Sequence, residues 1–455
     1  MFKKMNKLLN LRIVNAGVWS MGSHGVSQVL RLASNLIMTR LLVPEMFGVM
    51  VIANMIIVGL SLFSDIGLGQ NIIRSKRGSD PSFLNTVWAI QIIRGIMIWL
   101  LAVIIGVSLY FLNTLGITNG TSVYNEPILP MVIIAISFSA VISGFESTKL
   151  PLATRDYDQK NIAFMVVLSQ LSSIVIMIAW VFFIDRSIWA LVAGNLVGNA
   201  VKVVFTHTLL SGPSNHWEWD NDARKEVFHF GKWVFLSSLI TFFFNNGDKL
   251  LLGGMISPEL LGIYSIALIM INVFQTAISK LINATVFPAL SKAYHDRKGS
   301  LKGIYYKFRI GMDSFIFSLV GVLLVTGSLI IDALYDSRYS EAGAMLQILS
   351  LILLSDRYMI TERYLLAIGK PKDLTSLNII RAVSLYIFVP IGFYLYGFDG
   401  ALWMIVLSYF TGLPFMIYLK IKYNIFDLKK ELITSPLFFL SIMLSMYIVS
   451  LFDKA

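Results

Sequence analysis

GVWSMGSHGVSQVLRLASNLIMTRLLVPEMFGVMVIA, from Gly17 to Ala53, and GKWVFLSSLITFFFNNGDKLLLGGMISPELLGIYSIA, from Gly231 to Ala267, align without a gap at a constant shift of 214. The identities are Gly17/Gly231, Trp19/Trp233, Ser23/Ser237, Leu36/Leu250, Pro44/Pro258, Glu45/Glu259, Gly48/Gly262, Ile52/Ile266 and Ala53/Ala267. In both copies Pro-Glu-x-x-Gly falls between the first and second apolar run of its half, which points to an internal duplication.

Working outward from these copies, apolar runs of about the length needed to cross a bilayer recur along the whole chain. Spans are expected near 13–39, 46–68, 84–111, 128–147, 161–184, 188–210, 228–252, 259–288, 310–332, 343–360, 374–395, 400–419 and 436–452. Six spans separate the start of one copy from the start of the next, so both halves enter the membrane in the same direction. Such parallel repeats are related by an axis along the membrane normal, and transporters of that plan bind substrate between the halves. The expected organisation is an N-terminal six-helix bundle over 1–210, a cytoplasmic link over 211–227, a second six-helix bundle over 228–419, and a basic loop with an additional hydrophobic helix over 420–455. The thirteenth run, Pro436 to Phe452, is short enough to be a span, an interfacial helix or half of a truncated pair.

Composition agrees with a lipid environment. Of 455 residues 56% are hydrophobic and only 14% charged, against a usual quarter charged in soluble domains, and the mean hydropathy is +0.73. The +11 net charge would suggest nucleic acid as a partner of a soluble protein, but topology accounts for it. The amino tail and the segments 69–83, 148–160, 211–227, 289–309, 361–373 and 420–435 hold 25 Lys and Arg, whereas the alternate set holds four, namely Arg40, Arg186, Arg338 and Lys454. By the positive-inside rule the amino terminus is cytoplasmic. Lys3, Lys4, Lys7 and Arg12 resemble the start of a signal peptide, but the apolar stretch that follows is too long for one and is expected to be a retained span.

Polar residues recur on single faces of these helices. Ser20, His24, Gln28, Arg31 and Asn35 are spaced by three or four in the first span, hence on one side of the helix. The seventh span carries Ser238, Asn245 and Lys249 at the same shift of 214, beside Asn246 and Asp248; the sixth has Asn195, Asn199, Lys202 and Thr206, and the eighth Asn272, Gln275, Ser279 and Asn283 next to Lys280. A cation facing lipid at mid-membrane costs on the order of 2.5–3.5 kcal/mol even on the lenient insertion scale, so the stripes are expected to face a water-filled interior. Arg31 lies about 12 Å from the outer end of its span, at 1.5 Å per residue, and is either a cavity ligand or one half of a buried pair. Arg94, Lys202, Lys280 and Arg381 are either ligands or residues that snorkel or pair with Asp65, Asp313 or Asp356. Lys249 either binds substrate or pairs with Asp248, and His24 either relays protons or bonds a neighbouring helix. Asp248 and Asp65 are the candidates for ion coupling.

Such cations favour an anion. Opposite charges 4 Å apart at an effective dielectric near 20 gain about 4 kcal/mol, so a diphosphate would suit them, and interleaved amides and hydroxyls would suit a hydroxyl-rich cargo. No phosphate-binding loop of the Gly-x-x-x-x-Gly-Lys-Ser/Thr type, no Gly-x-Ser-x-Gly elbow and no cysteine occurs, and the five histidines do not cluster. ATP hydrolysis, disulfides and thiolate metal sites are thereby excluded, catalysis has no obvious home, and no cofactor or metal is expected. In the segment Asn215 to Glu226, Trp217 and Trp219 have the character of interfacial anchors.

Gly-Val-Trp-Ser at 17–20, Thr-Arg-Leu-Leu-Val-Pro-Glu-Met-Phe-Gly at 39–48, Asn-Asn-Gly-Asp-Lys-Leu-Leu-Leu-Gly-Gly at 245–254 and Pro-Glu-Leu-Leu-Gly-Ile-Tyr-Ser at 258–265 resemble the polysaccharide (O-antigen) flippases called Wzx, of the MOP superfamily that also holds the MATE exporters. The resemblance covers about the first twelve spans. It implies an all-α polytopic membrane fold of two six-helix bundles related by a pseudo-two-fold along the membrane normal, in a bacterial inner membrane. The implied activity is translocation of undecaprenyl diphosphate-linked oligosaccharide repeat units by alternating access, alongside polysaccharide polymerase and assembly proteins. The family's cavity cations map onto Arg31, with Lys249, Lys280 and Arg381 behind it. A MATE-like drug exporter would be expected to carry more acidic and fewer basic cavity groups. An integral membrane glycosyltransferase, such as a polymerase or ligase, would carry a large outer loop, and a scaffold would not need the polar stripes.

Overall fold

The computed structural model describes residues 2–116, 120–296 and 301–452, all helix and connection with no strand among them. The side chains of Lys3, Lys4, Lys7, Arg12, Trp233 and Ser237, and residues Arg297, Lys298 and Lys454, lie outside the described residues. Among the described residues nine helical stretches are long and apolar enough to cross a membrane, or ten counting one bent pair. Two compact units result, Met1–Phe242 with Gly253–Glu259, and Phe243–Leu252 with Leu260–Ala455.

In the first unit α1 (Phe2–Leu41), α2 (Pro44–Phe63), α3 (Leu68–Arg74), α4 (Pro81–Thr114), α5 (Leu129–Gly144), α6 (Lys149–Arg155), α7 (Gln159–Phe183) and α8 (Trp189–Thr208) follow the expected spans closely. Prolines start α2 and α4 at the first helical turn, where the missing N–H has no partner to lose, and Asp80 caps α4 by accepting from Ser82 N at 3.1 Å. α4 pairs with α5, α7 with α8, and α1 with α7. Much of the apolar surface of α4 and α7 is left bare within the unit, as helices that meet lipid require.

The expected fourth span is a helix bent by 64° between α5 and α6. At the bend Gln91 Nε2 reaches the carbonyls of Ser143, Gly144 and Glu146, each at 3.1 Å. α9 (Asn221–Gly253) begins against this unit: buried Gly231 packs so closely that a Cβ there would come within 2.5 Å of Ile66, and Phe242 meets Phe63 edge to face at 5.0 Å.

The segment 211–227 is strapped along the end of this unit that carries the basic segments. Asn215 accepts from Ser147 Oγ at 2.7 Å and donates to Thr148 Oγ1 at 2.6 Å. Asp220 accepts from Arg77 Nη2 at 2.6 Å, and Ser75 Oγ donates to Glu226 at 2.7 Å. Ala223 and Val227 are buried with Leu68, Ile72, Phe83 and Leu84, while Trp217 and Trp219 stay exposed. The Arg77 hydrogen bond, followed by the Asp222 N–H, holds the Asp220 carboxyl below its usual range, and hydrogen bonds from Ser82 and Asn85 do the same for Glu218. A carboxyl lowered in the folded state contributes fully above its unfolded pKa of about 4 and loses that contribution as pH falls through the lowered value. The strap is therefore expected to stay attached at neutral pH and to loosen only in strongly acidic solution. Asp220→Asn should mimic the loosening at neutral pH, read as faster hydrogen exchange over 215–226 with 129–144 unchanged.

The second unit contains the end of α9, then α10 (Pro258–Asp296), α11 (Leu301–Leu334), α12 (Glu341–Ser350), α13 (Leu353–Asp356), α14 (Met359–Ala367), α15 (Pro371–Phe410), α16 (Leu413–Lys422), α17 (Leu428–Leu432) and α18 (Ser435–Phe452). The expected spans 374–395 and 400–419 are joined by a break at Tyr396 and Gly397, whose φ of 62° favours glycine. A Cβ on Gly392 would lie 2.6 Å from the Gly400 carbonyl, so the chain folds back on itself there in a tight hairpin.

The thirteenth run is a helix packed on α11 in the same direction. Lys302 Nζ donates to Phe426 O at 2.8 Å, Tyr306 OH to Glu431 at 2.9 Å, and the Phe317 and Phe438 rings lie 5.9 Å apart. Further along, Ser441 Oγ donates to Phe317 O at 3.2 Å, and a Cβ on Gly321 would fall 1.8 Å from Ser441 Oγ and 2.8 Å from Ser441 Cβ. α18 therefore lies along a spanning helix, as a thirteenth span would. Gly321→Val should push α18 away, seen as faster proteolysis within 420–435 at unchanged cleavage of 211–220.

Candidate functional site

The polar stripe on α1 is continuous. Arg31 Nη2 donates to Gln28 Oε1 at 2.8 Å, and Gln28 Nε2 meets His24 Nε2 at 3.1 Å. The i,i+3 and i,i+4 spacing that places them on one face makes these bonds possible. Arg31 is exposed, and among the described residues it takes part in no ion pair. Asn35 continues the face, half-buried. A flank of α1 next to the stripe packs on α7, where Ser34 Oγ meets Met177 Sδ at 4.0 Å. A guanidinium without an ion pair among the described residues, set in the middle of an apolar helix, is costly to expose to lipid.

The remaining first-unit candidates are more closely held. Arg94 donates to Ser61 O at 2.7 Å and Ser64 Oγ at 3.0 Å, tying α4 to the end of α2. Asp65 accepts from Gly67 N at 2.9 Å. Lys202 pairs with Glu146 at the α5–α6 bend, and Thr206 Oγ1 accepts from Ser147 N at 3.0 Å. Half of the α8 stripe thus secures the bend, through a carboxylate that sequence spacing did not single out.

In the second unit Lys249 Nζ lies 3.4 Å from Asn245 O and 3.5 Å from Asn246 Oδ1, while Asp248 accepts from Tyr264 OH at 2.7 Å. Adjacent in sequence, Lys249 and Asp248 point to different partners. Lys280 is half-buried and forms no ion pair among the described residues, and Asn283 lies one turn on, bonded to Ser279 at 3.3 Å. Arg381, buried, pairs with Glu362 at 3.0 Å, whereas Asp356 accepts from Gln275 at 3.4 Å. Among the described residues Asp65, Asp313 and Asp356 form no ion pair with Arg94, Lys202, Lys280 or Arg381; Asp65 is hydrogen-bonded by Gly67, Asp313 pairs with Arg309 and Arg357, and Asp356 accepts from Gln275.

Sequence spacing missed a buried charge network at the basic end of the second unit. Asp313 accepts from Arg309 Nε at 2.9 Å and Arg357 Nη2 at 2.8 Å. Glu431 accepts from Arg309 Nη2 at 3.3 Å and Lys420 Nζ at 2.8 Å. The Lys420 and Arg309 cations also lie over the Tyr358 ring at 4.9 and 4.4 Å. The i,i+4 spacing of Arg309 and Asp313 was the available signal; Glu431, 122 residues away, carried none. Among the described residues no group of His, Cys, Asp and Glu is placed to hold a metal ion.

A family model described as polysaccharide biosynthesis protein matches residues 37–344. The lipopolysaccharide biosynthesis protein WzxC of Escherichia coli (strain K12) is 21% identical over 357 residues, 76% of this chain and 67% of that protein. Among solved structures, the inward closed lipid II flippase MurJ superposes with a TM-score of 0.70 at 15% identity, covering 97% of this chain and 93% of the other. An inward-facing MATE multidrug transporter of the MOP superfamily gives 0.67 at 16%, covering 90% and 95%. The polytopic all-α fold is thus of the MOP type.

Proposed function

The chain belongs to the polysaccharide biosynthesis protein family, and from that premise we propose that it is a flippase carrying undecaprenyl diphosphate-linked oligosaccharides from the cytoplasmic to the outer leaflet of a bacterial inner membrane. The observation that carries this reading is the α1 stripe, in which Arg31 is an exposed cation with no carboxylate partner among the described residues, flanked by Gln28, His24 and Asn35. A cation so placed favours a phosphate oxygen, and its guanidinium fork suits one geometrically. The neighbouring amides offer donors and acceptors to sugar hydroxyls, and the polyprenyl tail stays in lipid. Lys280 and Lys249 are the second unit's own proposed contacts for anionic groups. The amino terminus is proposed to be cytoplasmic, with the basic segments on the same side, and a polymerase and assembly proteins are the proposed recipients of the translocated lipid.

Binding tests the reading before transport does. The full chain in nanodiscs should bind undecaprenyl diphosphate-oligosaccharide saturably and discriminate against undecaprenol by at least about tenfold, or 1.4 kcal/mol. Equal affinity for the neutral alcohol would remove the diphosphate from the account.

A further inference from the structure

The first unit carries an open cavity of about 640 Å³ at its basic end, walled by α2 to α6 and α8. That volume lies within the range of small-molecule sites, and Arg31 is not among its lining residues. The walls are held by the chain's own bonds. Gly67, at φ 65°, completes the turn in which its N–H binds Asp65 Oδ1, and Arg94 is fixed by Ser61 and Ser64. Gln91 braces the α5–α6 bend, and a Cβ on Gly95 would fall 2.4 Å from the Ala140 carbonyl.

Its charges cancel. Of its lining residues Glu146 pairs with Lys202 of α8, and Asp65 and Arg94 are opposite charges that interact through space without forming an ion pair. Gln70, Asn199 and the Ser139 hydroxyl add neutral donors and acceptors, and Ile57 and Ile98 provide an aliphatic wall. A net anion or cation would gain little in such a place, because attraction to one charge is offset by repulsion from its partner. A ligand with many hydroxyls, no charge and apolar C–H faces fits both kinds of wall.

We propose that this cavity is a neutral-saccharide site, one that receives an uncharged pyranose of the lipid-linked cargo and is distinct from the α1 stripe that meets the diphosphate. The inference rests on the flippase reading for its cargo, but its test does not require transport.

The full chain in nanodiscs is titrated with neutral methyl glycosides of glucose, galactose and N-acetylglucosamine, and separately with inorganic pyrophosphate, by saturation-transfer NMR. At least one glycoside should saturate in the low millimolar range, a Kd of about 1–10 mM. Gln70→Ala, on an exposed side chain, and Ser139→Leu, which fills the cavity, should each weaken it by about tenfold, while Arg31→Glu leaves it unchanged and weakens pyrophosphate instead. Asp65→Asn gives the cavity a net positive charge and should shift it toward pyrophosphate. The proposal is overturned if no glycoside saturates, or if glycoside binding survives both Gln70→Ala and Ser139→Leu. Glycoside binding without leaflet transfer of the lipid-linked form would sink the flippase reading and leave the saccharide site standing; transfer without glycoside binding would do the reverse.

Discussion

Arg31→Glu is expected to lower transport of a diphosphate-linked oligosaccharide by at least about 100-fold while leaving the protein folded. A guanidinium about 4 Å from a phosphate oxygen, at an effective dielectric near 20, gains about 4 kcal/mol, close to three decades of affinity. The exposed position of Arg31 admits water and reduces that figure, and sign reversal adds repulsion to the loss. Folding should be spared because the guanidinium donates to Gln28 on its own helix, at 2.8 Å; exposed substitutions of this kind change stability by about 0.5 kcal/mol or less. Arg31→Lys keeps the charge but gives up the fork, and should lose about tenfold or less. Initial transport rates and melting temperatures of the two variants separate the electrostatic role from a structural one. A glutamate variant that transports normally makes Arg31 structural.

Asp313→Ala should be the most damaging single change to stability. The carboxylate is fully buried and serves two guanidinium groups, Arg309 at 2.9 Å and Arg357 at 2.8 Å. Removing it leaves those cations and Lys420 facing Glu431 alone. Breaking a buried pair by deleting one partner costs about 3–5 kcal/mol, since the other charge stays buried and uncompensated. Because Glu431 precedes α18, the thirteenth helix should loosen with the network. Melting in detergent and the yield of monodisperse protein report the effect, and Asp313→Asn, which keeps one acceptor, should be milder. Wild-type melting in Asp313→Ala would show that the network does not hold the second unit together.

The long helices were legible because a bilayer demands long apolar runs, and the expected spans fall on them; the short helices α3 and α17 and the breaks between α12, α13 and α14 were not legible. The bend at Gly144 to Lys149 and the hairpin at Gly397 were not, because apolar run length does not register a change of direction. The stripes were legible as faces, since periodicity fixes which side of a helix a residue occupies. Their partners were not: Lys202 meets Glu146 and Arg381 meets Glu362, through packing that brings separate helices together. Arg31 stands apart because its bonds stay within one helix, which is the case local spacing describes well.

Leaflet transfer is the most direct test of the central claim. Purified protein is reconstituted in liposomes holding fluorescent undecaprenyl diphosphate-oligosaccharide, and an impermeant quencher reports the label reaching the other leaflet, with Arg31→Glu alongside. The account predicts quenching beyond the fraction initially exposed, dependent on the wild-type protein and nearly absent with Arg31→Glu. Quenching that stays at the protein-free level under proton and sodium gradients, with a cognate sugar, would contradict it.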